Sequence, residues 1–163
     1  MNIHIRKTEE TDWIALKELR LESLNESPKA FGLAYANATQ FTDTQWQDSA
    51  ACKTPPTYFM AWYHLKAIAL IGGAISNGEY NLIAMWVSPK NRGLGIAEKL
   101  IHTALFHAQE IGHSNVVLSV SPENIPAKRL YEKMGFHFIE QYEQLKSHPD
   151  IKVQKMVANI GGL

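Results

Sequence analysis

The feature that constrains this chain most is an apolar segment followed by a glycine-rich turn and a long amphipathic stretch. Residues 82–87 are apolar and end at a Ser-Pro pair, which predicts a strand. Apolar residues recur at helical spacing over 96–111, and Gly112 stands where a left-handed helix cap is expected. The turn between this strand and this helix reads Arg92-Gly93-Leu94-Gly95-Ile96-Ala97.

This turn has the properties of a diphosphate-binding loop. The first N–H groups of a helix have no internal acceptor and lie at the positive end of the helix dipole. Gly93 and Gly95 carry no Cβ and Ala97 has a small side chain, so an anion can approach the backbone closely. Arg92 adds a positive charge beside the turn. The plainer alternative is that the glycines only mark a tight turn.

Two common nucleotide-binding sites do not fit this loop. A dinucleotide-binding fingerprint requires glycine or alanine three positions after Gly95, where this chain has Glu98, and it also requires an early βαβ unit. A Walker loop requires Gly-Lys followed by Ser or Thr, which the turn lacks. The sequence therefore predicts a diphosphate ligand of another kind.

The remaining periodicity predicts one α/β (α+β) domain over residues 1–163. Strands are expected around Ile3 and Ile5 and over 58–64, 67–76, 82–87, 115–120, 136–145 and 151–157. Helices are expected from Thr11 or Asp12 to Ser27, around Trp46, over 96–111 and over 126–134. The order βααβββαβαββ describes a mixed central sheet of about seven strands flanked by about four helices.

A second segment and the glycine loop together resemble one known family. The segment contains Asn124, Ala127 and the run Leu-Tyr-Glu-Lys-Met-Gly-Phe over 130–136. The loop resembles the Arg/Gln-x-x-Gly-x-Gly/Ala pyrophosphate loop of the GNAT superfamily of N-acetyltransferases, and the preceding Val87-x-Pro89 is typical of that family. The two motifs occur in the family's order, with one helix and one strand between them.

The resemblance implies a site for acetyl-CoA. In GNAT enzymes the strand before the loop carries a bulge and diverges from its neighbour, and the pantetheine arm lies in the gap. Here the exposed backbone groups would belong to Met85 and Val87, and the pyrophosphate would lie on N–H groups from Arg92 to Ala97. Asn124 would hydrogen-bond the pantetheine arm, or it could serve only as a helix cap.

The reaction that the resemblance implies is acetyl transfer to a primary amine, by direct attack through a tetrahedral intermediate. The N–H of Val87 would stabilise the oxyanion. Tyr131 matches the position often assigned as general acid and would protonate the coenzyme A thiolate, although it could also be a core residue. The amine must first lose a proton. The candidate bases are Glu79, expected just before the diverging strand, and then Glu140.

The acceptor side is less defined than the cofactor side. By the resemblance, Phe31, Tyr35 and Trp46 lie in the region that walls the acceptor pocket, with packing the default role for each. A cluster of acidic residues there would favour a polycation such as a polyamine. The acceptor is otherwise open between a small-molecule amine and a protein amine. One of three basic residues could meet the 3′-phosphate of coenzyme A: Lys128, Arg129 or Lys133.

Composition excludes other classes of function. Sixteen basic and sixteen acidic residues balance, so nonspecific nucleic-acid binding is not expected. The seven histidines are scattered, and no metal is expected. A single cysteine, Cys52, fits a reducing compartment, and neither a signal peptide nor an apolar run of about 18 residues is present. We therefore expect a cytoplasmic protein without a membrane span.

Three questions stay open at the level of sequence. A GNAT fold can also act as a non-catalytic acyl-CoA sensor, or as an interaction domain without a cofactor. The general base is not fixed by either motif. A homodimer formed through the last strand, 151–157, is possible.

Overall fold

Seven strands form one mixed sheet in the structure, a computed structural model that describes residues 2–161. The order across the sheet is β1-β2-β3-β4-β5-β7-β6. Strands β4 and β5 run parallel, and the other neighbours run antiparallel. In chain order the strands are β1 (Ile3–Lys7), β2 (Thr57–Tyr63), β3 (Lys66–Ser76), β4 (Glu79–Val87), β5 (Asn115–Val120), β6 (His137–Leu145) and β7 (His148–Asn159).

Five α-helices accompany the sheet in the described part of the chain, where the sequence predicts about four. They are α1 (Trp13–Glu26), α2 (Tyr35–Ala38), α3 (Asp43–Ala50), α4 (Ile96–Glu110) and α5 (Ile125–Lys133). The additional helix, α2, is a single turn inside the weakly patterned region. The predicted α/β class and mixed seven-stranded sheet are confirmed. Within residues 2–161, no helix combines the length and the apolar character needed to cross a membrane.

Each face of the sheet has its own hydrophobic core. One face packs against the buried side of α4, and the other packs against α1 and α3. In β2 the alternation is plain, since Phe59 and Ala61 belong to the α4 core while Tyr58 and Met60 belong to the α1–α3 core. A sheet covered on both faces explains why the strands read as nearly continuous apolar runs.

The position of β7 bears on the possible dimer contact through the last strand. In the structure β7 is hydrogen-bonded to β5 on one side and to β6 on the other. Its backbone groups are therefore used within the sheet, and the late strand at the edge is β6.

Tyr80 holds the start of β4 in place by contacting both Gly73 of β3 and His107 of α4. Tyr80 is 1% exposed, and its Oη lies 2.9 Å from Nδ1 of His107 on α4. The ring passes directly over Gly73 of β3. Glycine at residue 73 thus leaves the space that the buried tyrosine occupies.

We expect Gly73→Ala to destabilise the protein. A Cβ at residue 73 would lie 2.0 Å from Tyr80 Oη and 2.3 Å from its Cζ, and the ring is held by His107. Overpacking of this kind lowers the free energy of unfolding by about 1–3 kcal/mol, which urea denaturation would measure. Gly32→Ala is the control, because a Cβ there meets no atom within 4 Å. Equal stability of the two variants would contradict this account.

Candidate active site

The parallel pairing of β4 with β5 stops after two residues. Tyr80 pairs with Val116 and Asn81 with Val117, and β4 then continues to Val87 without a partner on that side. The strands diverge around a cavity of about 400 Å³. The gap predicted by resemblance is therefore present between β4 and β5.

A bulge in β4 accompanies this divergence. Leu70 of β3 pairs with Trp86, and Gly72 pairs with Ile83, so two steps along β3 correspond to three along β4. Ala84 lies within the bulge at φ +60°, a left-handed conformation that is uncommon for alanine. The extra residue reverses the alternation of side chains: Leu82 belongs to the α4 core, whereas Trp86, four residues later, belongs to the α1–α3 core.

The glycine loop presents unpaired backbone donors at the start of α4. Gly93 and Gly95 have φ values of +81° and +79°, and a Cβ at either would meet no atom within 4 Å. The first hydrogen bond of the helix runs from Lys99 N to the Gly95 carbonyl, at 3.2 Å. Between residues 93 and 98, no backbone N–H donates to an acceptor in the described part of the chain. The open loop and free donors are the properties that a diphosphate requires.

Arg92 does not extend into the space before the loop. Its Nε donates to the Val87 carbonyl at 2.9 Å, and its Nη2 donates to the Glu26 carboxylate. Glu26 also accepts from Trp86 Nε1 at 2.9 Å and from Ser27 Oγ at 2.7 Å. The hydrogen bonds from Ser27 and Trp86, and then that from Arg92, lower the pKa of Glu26. Arg92 therefore fastens the loop to the end of α1, and the loop offers mainly its backbone donors to an anion.

Tyr131 and Asn124 both line the cavity between β4 and β5. Burial raises the pKa of Tyr131 to about 12, so its hydroxyl keeps its proton throughout the physiological range. That hydroxyl has no hydrogen-bond partner within residues 2–161. Asn124 caps α5, accepting from Ala127 N at 3.4 Å, so its cap role and its place at the cavity coexist.

The structure separates the two carboxylates considered as bases from this cavity. Glu79 is the first residue of β4 and not a residue before it, and both of its oxygens pair with Lys155 Nζ, at 2.7 and 2.9 Å. It lines a second, adjoining cavity of about 290 Å³. Glu140 is exposed on β6 and lines neither cavity.

Glu143 is the carboxylate that sequence reasoning missed. It lines both the cavity between β4 and β5 and the adjoining one. Four steps along β6, from Phe138 to Tyr142, correspond to only two steps along β7, from Met156 to Gln154. This irregularity sets which β6 side chains face the cavity, and nothing in the local sequence of β6 indicates it.

A third cavity, of about 440 Å³, lies against α1 and α3 and is called the acceptor-side cavity below. It shares Arg20, Leu33 and Ile83 with the cavity between β4 and β5, so the two cavities are adjacent. Of the aromatic residues expected near the acceptor, Phe31 lines the first cavity and Trp46 lines the acceptor-side cavity. Tyr35 lines neither of them.

The basic residues of α5 differ in their surroundings. Lys133 Nζ pairs with Glu98 Oε1 at 3.1 Å, in the first turn of α4 and next to the glycine loop. Lys128 and Arg129 have no ion-pair partner within residues 2–161. A cation fixed beside the loop is thus present at Lys133, although it already has a carboxylate partner.

The sequence model of the acetyltransferase (GNAT) family matches residues 13–136, which is more than half of the chain. The chain belongs to this family. The match runs from the start of α1 through the glycine loop to the end of α5, and it includes both motifs of the candidate site.

The chain matches curated N-acetyltransferases over shorter stretches of sequence. The chain is 41% identical to N-acetyltransferase 8B of Rattus norvegicus over 64 residues, which are 39% of this chain and 29% of the relative. It is 28% identical to the mycothiol acetyltransferase of Corynebacterium diphtheriae over 138 residues, 82% of this chain and 43% of the relative. The chain thus spans less than half of the length of either relative.

Solved GNAT structures match nearly the whole chain in fold. An acetyltransferase of Streptococcus pneumoniae has a TM-score of 0.80 at 19% identity, with 98% of this chain and 100% of that chain covered. The PaiA N-acetyltransferase of Thermoplasma acidophilum, solved in complex with coenzyme A, has a TM-score of 0.77 at 17% identity, with 98% and 99% covered.

We expect Glu26→Gln to lower the melting temperature at neutral pH, because it removes the charge that holds Arg92 and the loop. The pKa of Glu26 is below its ordinary value of 4.5, so the carboxylate stabilises the fold above that pH. This contribution is lost as pH falls through the folded-state pKa. The difference between wild type and variant should therefore shrink below about pH 4.5.

Thermal unfolding between pH 3 and 8 would measure this effect. Glu22→Gln is the control, since Glu22 is an exposed carboxylate of the same helix with no ion-pair partner within residues 2–161. A stability difference for Glu26→Gln that does not change with pH would contradict the charge-based account.

Proposed function

We propose that this protein is an acetyl-CoA-dependent N-acetyltransferase that transfers an acetyl group to a primary amine. The observation that carries the proposal is the placement of the free N–H groups of residues 93–98 at the end of the same strand whose middle lines the gap. A long ligand with a diphosphate and a flexible arm matches that arrangement. Membership of the GNAT family supports acetyl-CoA as this ligand.

Residues of this chain would hold coenzyme A in two places. Backbone N–H groups from Gly93 to Ala97 would bind the pyrophosphate. Unpaired backbone groups of Met85 and Val87, in the diverging part of β4, would pair with the pantetheine arm. Because Arg92 occupies the Val87 carbonyl, the N–H of Val87 is the group left for binding or for an oxyanion.

Each chemical step then has a candidate group. An acetyl thioester supplies the activated carbonyl that the amine attacks, and a backbone N–H of β4 would stabilise the oxyanion of the tetrahedral intermediate. Tyr131 would donate its proton to the departing thiolate sulfur, and the raised pKa of its hydroxyl keeps that proton in place until the thiolate departs. No covalent bond to the enzyme is required.

For the general base, we propose Glu143 in place of Glu79 and Glu140. An amine is mostly protonated at neutral pH and must release a proton before attack. Glu143 lines the cavity between β4 and β5, whereas the charge of Glu79 is already balanced by Lys155. A carboxylate at Glu143 could accept the proton directly or through water.

We expect millimolar acetyl-CoA to raise the melting temperature of the wild-type protein. A ligand at about 100 times its Kd adds about 2.7 kcal/mol to the free energy of unfolding. Gly95→Glu should abolish this shift, because it places a carboxylate where the diphosphate would bind. Gly78→Glu is the control, since Gly78 has a similar φ of +75° and lies in the turn between β3 and β4.

The experiments can refute coenzyme A binding and acetyl transfer separately. No shift in wild type would refute coenzyme A binding on this loop. A normal shift without turnover of any amine would instead favour an acyl-CoA sensor.

We expect Tyr131→Phe to lower kcat by about 10²–10⁴-fold, the usual contribution of a general acid. The thermal shift with acetyl-CoA should stay nearly unchanged, because the ring is retained. Release of free coenzyme A thiol measures the rate. Tyr142→Phe is the control, as Tyr142 is half exposed and lines only the adjoining cavity. An unchanged kcat in Tyr131→Phe would assign proton transfer to water or another group.

A further inference from the structure

One buried charge in this protein has no counter-ion. Arg20 of α1 is 5% exposed, and its Nε and Nη1 have no hydrogen-bond acceptor within residues 2–161. An arginine stays protonated at every physiological pH. A buried charge without a partner is strongly destabilising, so such positions are rare unless a ligand uses them.

The immediate neighbours of Arg20 do not neutralise it. Its Cζ lies 5.2 Å from the centroid of the Phe31 ring, a contact that stabilises a cation only partly. The Tyr58 hydroxyl is close enough for Arg20 to oppose the effect of burial, but burial dominates and raises the pKa of Tyr58. Tyr58 is therefore neutral at physiological pH and cannot serve as the counter-ion.

The carboxylates near these cavities are also not paired with Arg20. Asp48 lines the acceptor-side cavity, and Glu143 lines the cavity between β4 and β5. Within residues 2–161, no carboxylate oxygen lies within the 4.0 Å ion-pair distance of the Arg20 guanidinium. With Asp48 as its one acidic residue, the lining of the acceptor-side cavity does not have the acidic cluster that a polyamine would require.

A second buried donor lines the same cavity. Trp46 of α3 is 3% exposed, and its Nε1 has no acceptor within residues 2–161. Buried donors are usually satisfied, and each exception requires an explanation. Arg20 and Trp46 come from different helices and both line the acceptor-side cavity, so a ligand there that offers only acceptors is a candidate partner for both.

We propose that the acceptor amine carries a carboxylate, which binds Arg20 and the indole N–H of Trp46. This inference rests on the proposed acetyl transfer and names its acceptor class. Arg20 and Ile83, a residue at the edge of the β4 bulge, line both cavities. In this proposal the carboxylate therefore lies close to the reacting amine, as in an α-amino acid. The side chain would occupy the acceptor-side cavity, whose apolar lining includes Leu33, Phe41 and Pro56.

The test compares amino acids with the amines that differ only by loss of the carboxylate. Suitable pairs are L-phenylalanine with phenethylamine, L-leucine with isoamylamine, and L-lysine with cadaverine. We expect kcat/KM with acetyl-CoA to be about 10- to 100-fold higher for the acid of the best pair, the range of a charge-assisted hydrogen bond. Equal rates, or faster turnover of the decarboxylated amines in all pairs, would overturn the proposal.

Variants then assign the preference to the two donors. Arg20→Met should bring the ratio within the best pair to about one by slowing the acid and not the amine. Trp46→Phe retains the ring, removes the N–H and should reduce the ratio severalfold. Lys66→Met removes an exposed cation at the start of β3 that lines neither cavity, and it should leave the ratio unchanged. A ratio that survives both Arg20→Met and Trp46→Phe would refute the assignment.

Two further measurements separate this inference from the proposed function and from a structural role of Arg20. Without any ligand, Arg20→Met should melt at a higher temperature than wild type, because an unpaired charge is replaced by an apolar side chain. A lower melting temperature would indicate a structural role instead. If no amine is turned over, acetyl transfer fails while this inference is still decided by binding. N-acetyl-L-phenylalanine, but not N-phenethylacetamide, should then stabilise wild type and not Arg20→Met, and equal effects would refute it.

Discussion

The candidate site depends on the loss of hydrogen bonding between β4 and β5 beyond Asn81. One additional residue in β4, at the left-handed Ala84, turns the strand away from β5 and reverses the side-chain alternation. A continuous parallel pair would have filled this space with ladder hydrogen bonds. The interruption instead leaves backbone groups unpaired beside a cavity, and the cores on either side of the sheet stabilise that arrangement.

Three ion pairs balance charges around the site. Glu26 balances Arg92, Glu98 balances Lys133, and Lys155 balances Glu79. Because Arg92 is already paired, the proposed anion site on the glycine loop would depend on backbone dipoles, which are fixed in position by the start of α4. Arg20 is the contrast, since it is buried and unbalanced at the junction of two cavities. Fixed backbone dipoles suit a cofactor that is the same in every reaction cycle. One unpaired arginine can instead discriminate between different acceptors.

Local patterns predicted the parts of the site that depend on neighbouring residues in the chain. The strand, glycine loop and helix from 82 to 111 follow from periodicity and from glycine conformation, and the cavity-lining positions of Tyr131 and Asn124 follow from the resemblance. The position of Glu143 at the cavity, by contrast, depends on an irregular register between β6 and β7. The interior place of β7 depends on the order of the strands in the sheet. In the sequence alone, Arg20 is one charged residue on a predicted amphipathic helix. Its burial is evident only from its packing against Phe31 and Tyr58. Such features depend on contacts between residues that are far apart in the chain. The local pattern of a single sequence does not reveal these contacts.

The junction at Arg20, Leu33 and Ile83 also bears on the order of events in catalysis. The cavity between β4 and β5 is walled partly by α5, whose Tyr131 packs on the α4 core, while the acceptor-side cavity lies against α1 and α3. In the proposed reaction, donor and acceptor would therefore bind in adjacent cavities and not in one shared cavity. Both could then occupy the protein at the same time, as a sequential mechanism requires.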